Sequence, residues 1–239
     1  MKVRRWLPLQ AGLLAAGVVL GFSSGALGAV IPLSTLVAPG ALPVPSADGS
    51  VVFSGFSYTP TVNAPPANAI NIITDASNPT GLWIQGPFSV INGDELDALL
   101  GFVASVTAPD VNVQFVGAEM EILVSDAHGY KAGPPSSRSH ALITESIKSS
   151  PSNSPATQLT VFDGADDGPG PDLKFDSESL AGFGRQIRVL KDISVRSVAI
   201  PNTATFAHVS LFSQSFQIPE PTTGLLLLSL AAAVLRRRR

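Results

Sequence analysis

The chain has 239 residues, of which 45% are hydrophobic and 14% charged, with 15 basic side chains, 18 acidic side chains and no cysteine. This composition predicts a folded chain with a sizeable core, because disorder requires low hydrophobicity and high net charge. The absence of cysteine excludes a disulfide framework, a thiolate metal site and a cysteine nucleophile.

Residues 1–28 have the three-part pattern of a secretory signal peptide. Residues 2–5 include three basic side chains, residues 7–22 are almost entirely apolar, and small residues follow. Ala26 and Gly28 occupy the two small-residue positions before a cleavage site. A retained N-terminal membrane anchor is the alternative, but the small residues and the proline-rich sequence that follows favour cleavage. The pattern therefore predicts export through the Sec translocon.

The body of the chain, residues 29–217, is predicted to be a single all-β domain. Residues 29–50 are rich in proline and are expected to form an extended lead-in. Short β-rich runs then alternate with turn sequences such as Asn92-Gly93. The predicted strands are 51–58, 70–74, 82–84, 88–91, 96–107, 111–116, 119–125, 142–149, 159–162, 185–195, 198–200 and 205–216. Many short strands at this spacing predict an antiparallel β-sandwich of the jelly-roll type.

Alternation of side chains indicates which faces of these strands are buried. In residues 142–149, Glu145 shares one face with two isoleucines, as expected for a half-buried strand. In the last strand, His208 alternates with apolar residues and is expected to be a packed or edge histidine. Trp83 lies between two aliphatic residues and is predicted to belong to the core. Residues 96–100 could begin a helix, but the β-branched and aromatic residues after them favour a strand.

The histidines are the first candidates for catalytic chemistry, and there are three of them: His128, His140 and His208. They show neither His-x-x-x-His nor His-Glu-x-x-His spacing, so the local signature of a zinc hydrolase is missing. Residues 29–217 also contain no Gly-x-Ser-x-Gly elbow and no phosphate-binding glycine motif. The sequence therefore predicts a protein that is not an enzyme. A secreted hydrolase with a site around the three histidines is the second alternative function.

The densest acidic segment, residues 163–176, is the candidate for a metal site. Oxygen ligands for Ca²⁺ would come from Asp163, Asp166, Asp167 and Asp172. The segment fails the EF-hand pattern because Ala165 and Lys174 stand where ligands are needed. A solvated Asp- and Gly-rich turn is the favoured interpretation, and Ca²⁺ is the only cofactor that the sequence suggests.

Residues 218–239 form a second routing segment with three parts. An apolar stretch over residues 224–235 would be about 18 Å long as a helix, which is short of the roughly 30 Å hydrocarbon core of a bilayer. Before it lie Pro219, Glu220 and Pro221, and after it lie Arg236, Arg237, Arg238 and Arg239. The prolines favour an extended backbone, and the arginines should stop transfer on the cytoplasmic side. A simple tail anchor is the alternative.

This arrangement resembles the PEP-CTERM sorting signal, since its three parts occur in the same order at the end of the chain. The resemblance implies recognition and processing by an exosortase, a membrane transpeptidase-like protease of Gram-negative bacteria that make exopolysaccharide. Residues 218–239 would be the substrate of that enzyme. The expected course is a transient anchor in the inner membrane followed by delivery to the cell surface or extracellular matrix.

Charge is distributed unevenly between the body and the ends. Residues 29–218 contain eight basic and 17 acidic side chains, a net charge of −9, and the other seven basic residues lie at the two ends. An acidic body argues against binding nucleic acid, whose backbone requires basic patches. The expected function is that of an exported, non-enzymatic surface or matrix protein associated with exopolysaccharide or biofilm. The first alternative is a glycan- or calcium-dependent binding module.

Overall fold

The computed structural model describes residues 28–61, 63–130, 138–165 and 172–219. Across these ranges the chain forms antiparallel strands and two short helical segments, α1 (Leu33–Leu36) and a 3₁₀ turn at Ala67–Ala69. The strands are β1 Ala29–Pro32, β2 Val44–Pro45, β3 Val51–Pro60, β4 Asn71–Thr74, β5 Leu82–Ile91, β6 Glu95–Val106, β7 Gly117–His128, β8 His140–Ser149, β9 Ala156–Gly164, β10 Phe175–Ser179, β11 Gln186–Arg196 and β12 Phe206–Gln217.

The strands form two six-stranded sheets with the strand order of a jelly roll. Sheet A has the order β1-β4-β5-β12-β7-β10, and sheet B has the order β2-β3-β6-β11-β8-β9. The pairs β5–β12, β6–β11, β7–β10 and β8–β9 are therefore nested, as in a long hairpin rolled into a sandwich. This confirms the predicted all-β, jelly-roll-like sandwich.

The core lies between the sheets and is built by alternation along each strand. In β11 every second residue from Ile187 to Val195 is buried, and the residues between them face outward. Phenylalanines fill the centre: Phe102 lies against Phe53 and Phe56, with ring centroids 5.9 and 5.6 Å apart. Burial of these apolar side chains, at about 25 cal/mol per Å², is the main stabilising contribution.

Two of the predicted strands, at 111–116 and 198–200, are wrong. Residues 111–116 form a turn-rich connection. Asp110 accepts a hydrogen bond from the Asn112 amide at 2.9 Å, and the amides of Phe115 and Val116 donate to two different partners, Gly184 and Gln217, so no ladder forms. Residues 198–200 contribute only an isolated bridge between Ile200 and Thr203. In each case a short segment that contains β-branched residues is too constrained by turns to pair with a neighbouring strand.

The two predicted strands at 82–84 and 88–91 are one strand, β5, which continues through Gly86 and Pro87. Pro87 cannot donate a ladder hydrogen bond. It lies opposite the register shift between Val209 and Leu211 of β12, where the ladder is already interrupted. Missed strands occur at the sheet edges, in β1, β2 and β10. Their sequences are short or polar because an edge strand has less surface to bury.

Candidate functional site

The predicted sorting and cleavage residues lie at the limits of the described chain. Gly28 is the first described residue and directly precedes β1, whereas Ala26 lies outside the described residues. Pro219 follows β12 and is exposed. The remaining sorting residues also lie outside the described ranges: Glu220, Pro221, Arg236, Arg237, Arg238 and Arg239. Among the residues that the structure describes, no helix is both long and apolar enough to cross a bilayer.

The start of β1 and the end of β12 lie at the same end of sheet A. Val30 pairs with Ile73, Ile73 with Trp83, and Trp83 with Ser213, so these four residues form one row across the sheet. From this row β1 extends back to Ala29 and β12 extends forward in the same direction to Gln217. The start of β1 and the end of β12 therefore lie at one end of the sandwich, which we call the proximal end.

The opposite, distal end of sheet A carries a row of three rings on its outer face, which we call the ring row: His128, Phe206 and His208. The rings of His128 and Phe206 are 5.9 Å apart at 29°, and those of Phe206 and His208 are 6.3 Å apart at 26°. Register brings the rings together, because Phe206 is paired with His128 on β7. Spacing of two residues along β12 then places His208 beside Phe206 on the same face.

Polar and apolar groups surround the ring row. His208 is paired with Asp126 on one side and with Ser89 on the other, and Phe206 is paired with Ile91. Ile91 is 55% exposed, which is unusual for so large an apolar side chain beside an aromatic one. The distal end of sheet A therefore combines aromatic surface, an aliphatic side chain, a carboxylate and a hydroxyl group.

The third histidine lies on the other sheet. His140 is half-buried on the outer face of sheet B, where its ring is 5.7 Å from that of Phe162. The guanidinium carbon of Arg138 lies 4.7 Å from the centroid of the same phenylalanine ring. Burial lowers the pKa of His140. The fold therefore brings His128 and His208 together but places His140 on the opposite side of the sandwich, so the three histidines do not form one cluster.

Trp83 is not in the core, which corrects the prediction. Leu82 and Ile84 point into the sandwich, so alternation places Trp83 on the outer face of sheet A, where it is half-buried. It lies in the row at the proximal end, opposite Ser213 and Ile73. The two aliphatic neighbours in sequence do not indicate burial of Trp83 itself, because adjacent residues of a strand face opposite sides of the sheet.

The acidic segment holds a lysine between two of its carboxylates. Asp163 is buried at the end of β9, and Lys174 Nζ lies 3.2 Å from its Oδ1 and 3.9 Å from Asp172 Oδ2. Asp172 also accepts a hydrogen bond from the Gly164 amide at 3.0 Å. Burial raises the pKa of Asp163. Asp166 and Asp167 lie outside the described residues, and the described residues contain no group of three acidic or histidine side chains placed to hold a metal ion.

An apolar groove of about 550 Å³ lies beside the lead-in, around α1 and β2. Its wall includes Leu36, Pro39, Leu42 and Val44, and none of the described residues that line it is ionisable. These described residues supply shape and apolar surface.

Between the sheets lies a buried lysine–glutamate pair that the sequence analysis does not predict. Lys191 on β11 and Glu145 on β8 are paired across sheet B, contact each other and are fully buried. The Lys191 amine also donates a hydrogen bond to Gln214 Oε1 of sheet A at 2.6 Å. The sequence contained a sign of this cluster, because Glu145 and Lys191 each occupy an inward position in an alternating strand.

The C-terminal segment of the chain matches a known family of sorting motifs. Residues 217–239 match the PEP-CTERM protein-sorting motif. The chain is therefore an exported protein with a C-terminal, membrane-associated sorting signal, and the motif implies processing by exosortase-type machinery. Among curated proteins, none matches the chain.

Two solved structures that resemble the chain are of carbohydrate-binding modules. One is TmCBM61 in complex with beta-1,4-galactotriose, with a TM-score of 0.32 and 8% identity, covering 69% of this chain and 90% of that chain. Another comes from a study of carbohydrate-binding modules of the beta-sandwich superfamily, with a TM-score of 0.26 and 9% identity, covering 72% of this chain and 58% of that chain. The jelly-roll assignment rests on the strand order of the chain itself.

Proposed function

We propose that the mature protein is a non-enzymatic component of the cell surface or extracellular matrix, delivered through its sorting signal and associated with exopolysaccharide. The observation that carries this proposal is the shared exit of β1 and β12 at the proximal end. A signal peptide before Ala29 and a sorting helix after Gln217 would both hold this end toward the membrane. In the anchored precursor, the opposite end would then face away from the membrane.

The distal ring row supports a role in binding glycans, the first alternative function. Phe206 begins β12 and Gln217 ends it, so the ring row lies roughly 35 Å from the C-terminal exit at about 3.3 Å per residue. Aromatic surface flanked by Asp126 and Ser89 suits a sugar, whose C–H face packs on rings while its hydroxyl groups form hydrogen bonds. The acidic body favours a neutral polysaccharide, because an acidic one would be repelled.

The sorting part of the proposal is tested by the mass of the protein in each cell fraction. We expect the membrane fraction to contain a transient precursor and the extracellular fraction to contain a product that lacks residues from both ends. A single extracellular species that retains Arg236–Arg239 would contradict removal of the sorting segment.

The glycan part is tested by binding of the purified protein to an array of neutral and acidic glycans, with and without EDTA. We expect Phe206→Ser to abolish binding and Phe162→Ser to preserve it, because Phe162 is a matched phenylalanine beside a histidine on the opposite sheet. Loss of binding in EDTA would assign the interaction to a bound cation. Equal binding by both variants would exclude the ring row as the contact surface, and no binding by the unchanged protein would leave a purely structural role.

A further inference from the structure

The cluster around Lys191 has the components of a covalent cross-link between the two sheets. Lys191 lies on β11 in sheet B, and Gln214 lies on β12 in sheet A; both are fully buried. Lys191 Nζ is 2.6 Å from Gln214 Oε1. The amide carbon is about 1.2 Å from that oxygen, so amine and carbon are at most about 3.8 Å apart.

Glu145 is placed to move protons within this cluster. One carboxyl oxygen, Oε2, contacts the Lys191 amine, and the other, Oε1, has no hydrogen-bond partner among the described residues. The Gln214 side chain adjoins the same carboxyl group, and its Nε2 donates a hydrogen bond to the Ser215 carbonyl oxygen at 3.4 Å. A carboxyl group that contacts the nucleophile and lies beside the amide can accept a proton from the amine and donate a proton to the leaving nitrogen.

The surroundings exclude water and favour uncharged forms of both groups. Met120 Sδ lies 3.3 Å from the Lys191 amine, and the centroid of the Phe212 ring lies 5.9 Å from it. Burial lowers the pKa of Lys191 and raises the pKa of Glu145, and in each case burial outweighs the attraction between the two groups. A neutral amine has the free electron pair that a nucleophile requires.

We propose that Lys191 and Gln214 form an intramolecular isopeptide bond that joins the two sheets. The electron pair of Lys191 Nζ attacks the Gln214 side-chain amide carbon, and the carbonyl electrons move to Oε1. The protonated Glu145 accepts a proton from Nζ on one carboxyl oxygen as it delivers its own proton from the other oxygen to Nε2. The carbon–Nε2 bond then breaks, ammonia leaves, and the carbonyl re-forms. The balance is one amine and one primary amide converted to one secondary amide and ammonia, and Glu145 regains its original protonation state.

Such a bond would fulfil the role of a disulfide in an exported chain that has no cysteine. It would link consecutive strands of opposite sheets, in the centre of the core. A covalent link of this kind restricts the unfolded chain, as a disulfide does, and resists reduction because it contains no sulfur.

The test is mass spectrometry of the full chain after folding and denaturation. We expect the protein to be lighter than its sequence by one molecule of ammonia. Trypsin should cleave after Arg188 and Arg196 but not after Lys191, and the peptide 189–196 should remain attached to the peptide that contains Gln214. The exposed Lys148, on the adjacent strand, is the internal control and should be cleaved normally.

The variant Glu145→Gln keeps the shape of the cluster and removes the proton carrier, so it is expected to have its full sequence mass and normal cleavage after Lys191. Full mass and free Lys191 in the folded, unsubstituted protein would overturn the proposal. Loss of water with a link to Glu145 would also overturn it, because the bond would then lie within sheet B. Neither result depends on glycan binding, so this test is independent of the proposed function.

Discussion

Lys191 and Glu145 face each other directly across β11 and β8, and both side chains are fully buried between the sheets. Each occupies a position that alternation assigns to the core, between Val189 and Ile193 on one strand and between Ile143 and Ile147 on the other. An amine and a carboxyl group in such surroundings are tolerated only because each is the hydrogen-bonding partner of the other.

Removing one member of this pair is therefore expected to be costly. Glu145→Leu leaves the Lys191 amine without its carboxyl partner and should lower the free energy of unfolding by roughly 3–5 kcal/mol. Lys191→Met combined with Glu145→Leu should lose clearly less than the two single variants added together. Urea unfolding of the four proteins measures this difference, with the outward-facing Ser146→Ala as control. Simple additivity would show that the two side chains are not coupled.

Lys174 is expected to stabilise the acidic segment by neutralising Asp163. In Lys174→Met the buried Asp163 carboxylate loses its cation, which should cost roughly 1–3 kcal/mol at neutral pH. The loss should shrink in acid, because a protonated Asp163 needs no cation and burial already raises its pKa. Thermal unfolding at neutral and acidic pH measures both effects. A loss that does not depend on pH would point to packing of the lysine stem.

Calcium is expected to have little effect on the unsubstituted protein, because the Lys174 amine already lies between Asp163 and Asp172. Millimolar CaCl₂ should produce no binding heat in isothermal titration and no shift of the thermal midpoint. MgCl₂ at the same concentration is the control for ionic strength. Stabilisation by Ca²⁺ alone would establish the calcium-dependent binding module instead.

His140 is expected to make the fold sensitive to acid. Its pKa in the folded protein is lowered from 6.5 by burial, so the unfolded chain binds a proton more readily than the folded chain. The contribution of His140 to stability is therefore complete above about pH 6.5 and is lost as the pH falls from there toward its folded pKa. The difference in unfolding free energy between the unsubstituted protein and His140→Gln should change with pH in this window. A difference that does not change with pH would show that His140 does not make the fold sensitive to acid.

The sorting motif is expected to act through its extended Pro-Glu-Pro segment. Changing Pro219 and Glu220 together to alanine should leave the protein membrane-associated and unprocessed, because alanine permits the helix that proline prevents. Fractionation and mass determination measure the outcome. Ser177→Ala, an exposed substitution on β10, is the control. Normal release of the double variant would mean that this motif does not direct processing.

The alternation of apolar and polar side chains along the strands accounts for most of the strands that can be predicted from the sequence. The long inner strands β6, β8, β11 and β12 all coincide with β-rich runs in the sequence, because each must present an apolar face to the core. Edge strands such as β10 were missed because their sequences carry little apolar signal. Trp83 has aliphatic neighbours in sequence but faces away from them, because adjacent residues of β5 point to opposite faces of the sheet.

The candidate sites differ in how far they can be predicted from the sequence. The acidic segment was evident from composition, but only the structure places Lys174 between its carboxylates. The ring row combines His128 with Phe206 and His208 across a long sequence separation, and only strand register brings them together. No local pattern encodes that register, because it depends on the pairing of β12 with both β5 and β7.

By itself, the sequence determined that this protein is exported with a C-terminal sorting signal and that it carries an all-β domain. The tripartite C-terminal signal is contiguous, so its information is complete in the order of residues. The tertiary structure alone decided that the start of β1 and the end of β12 lie at one end of the sandwich, that two histidines meet Phe206 at the opposite end, and that Lys191, Glu145 and Gln214 meet in the core. These relationships depend on the pairing of strands that are distant in sequence. The two sheets fix that pairing because each must bury its apolar face against the other.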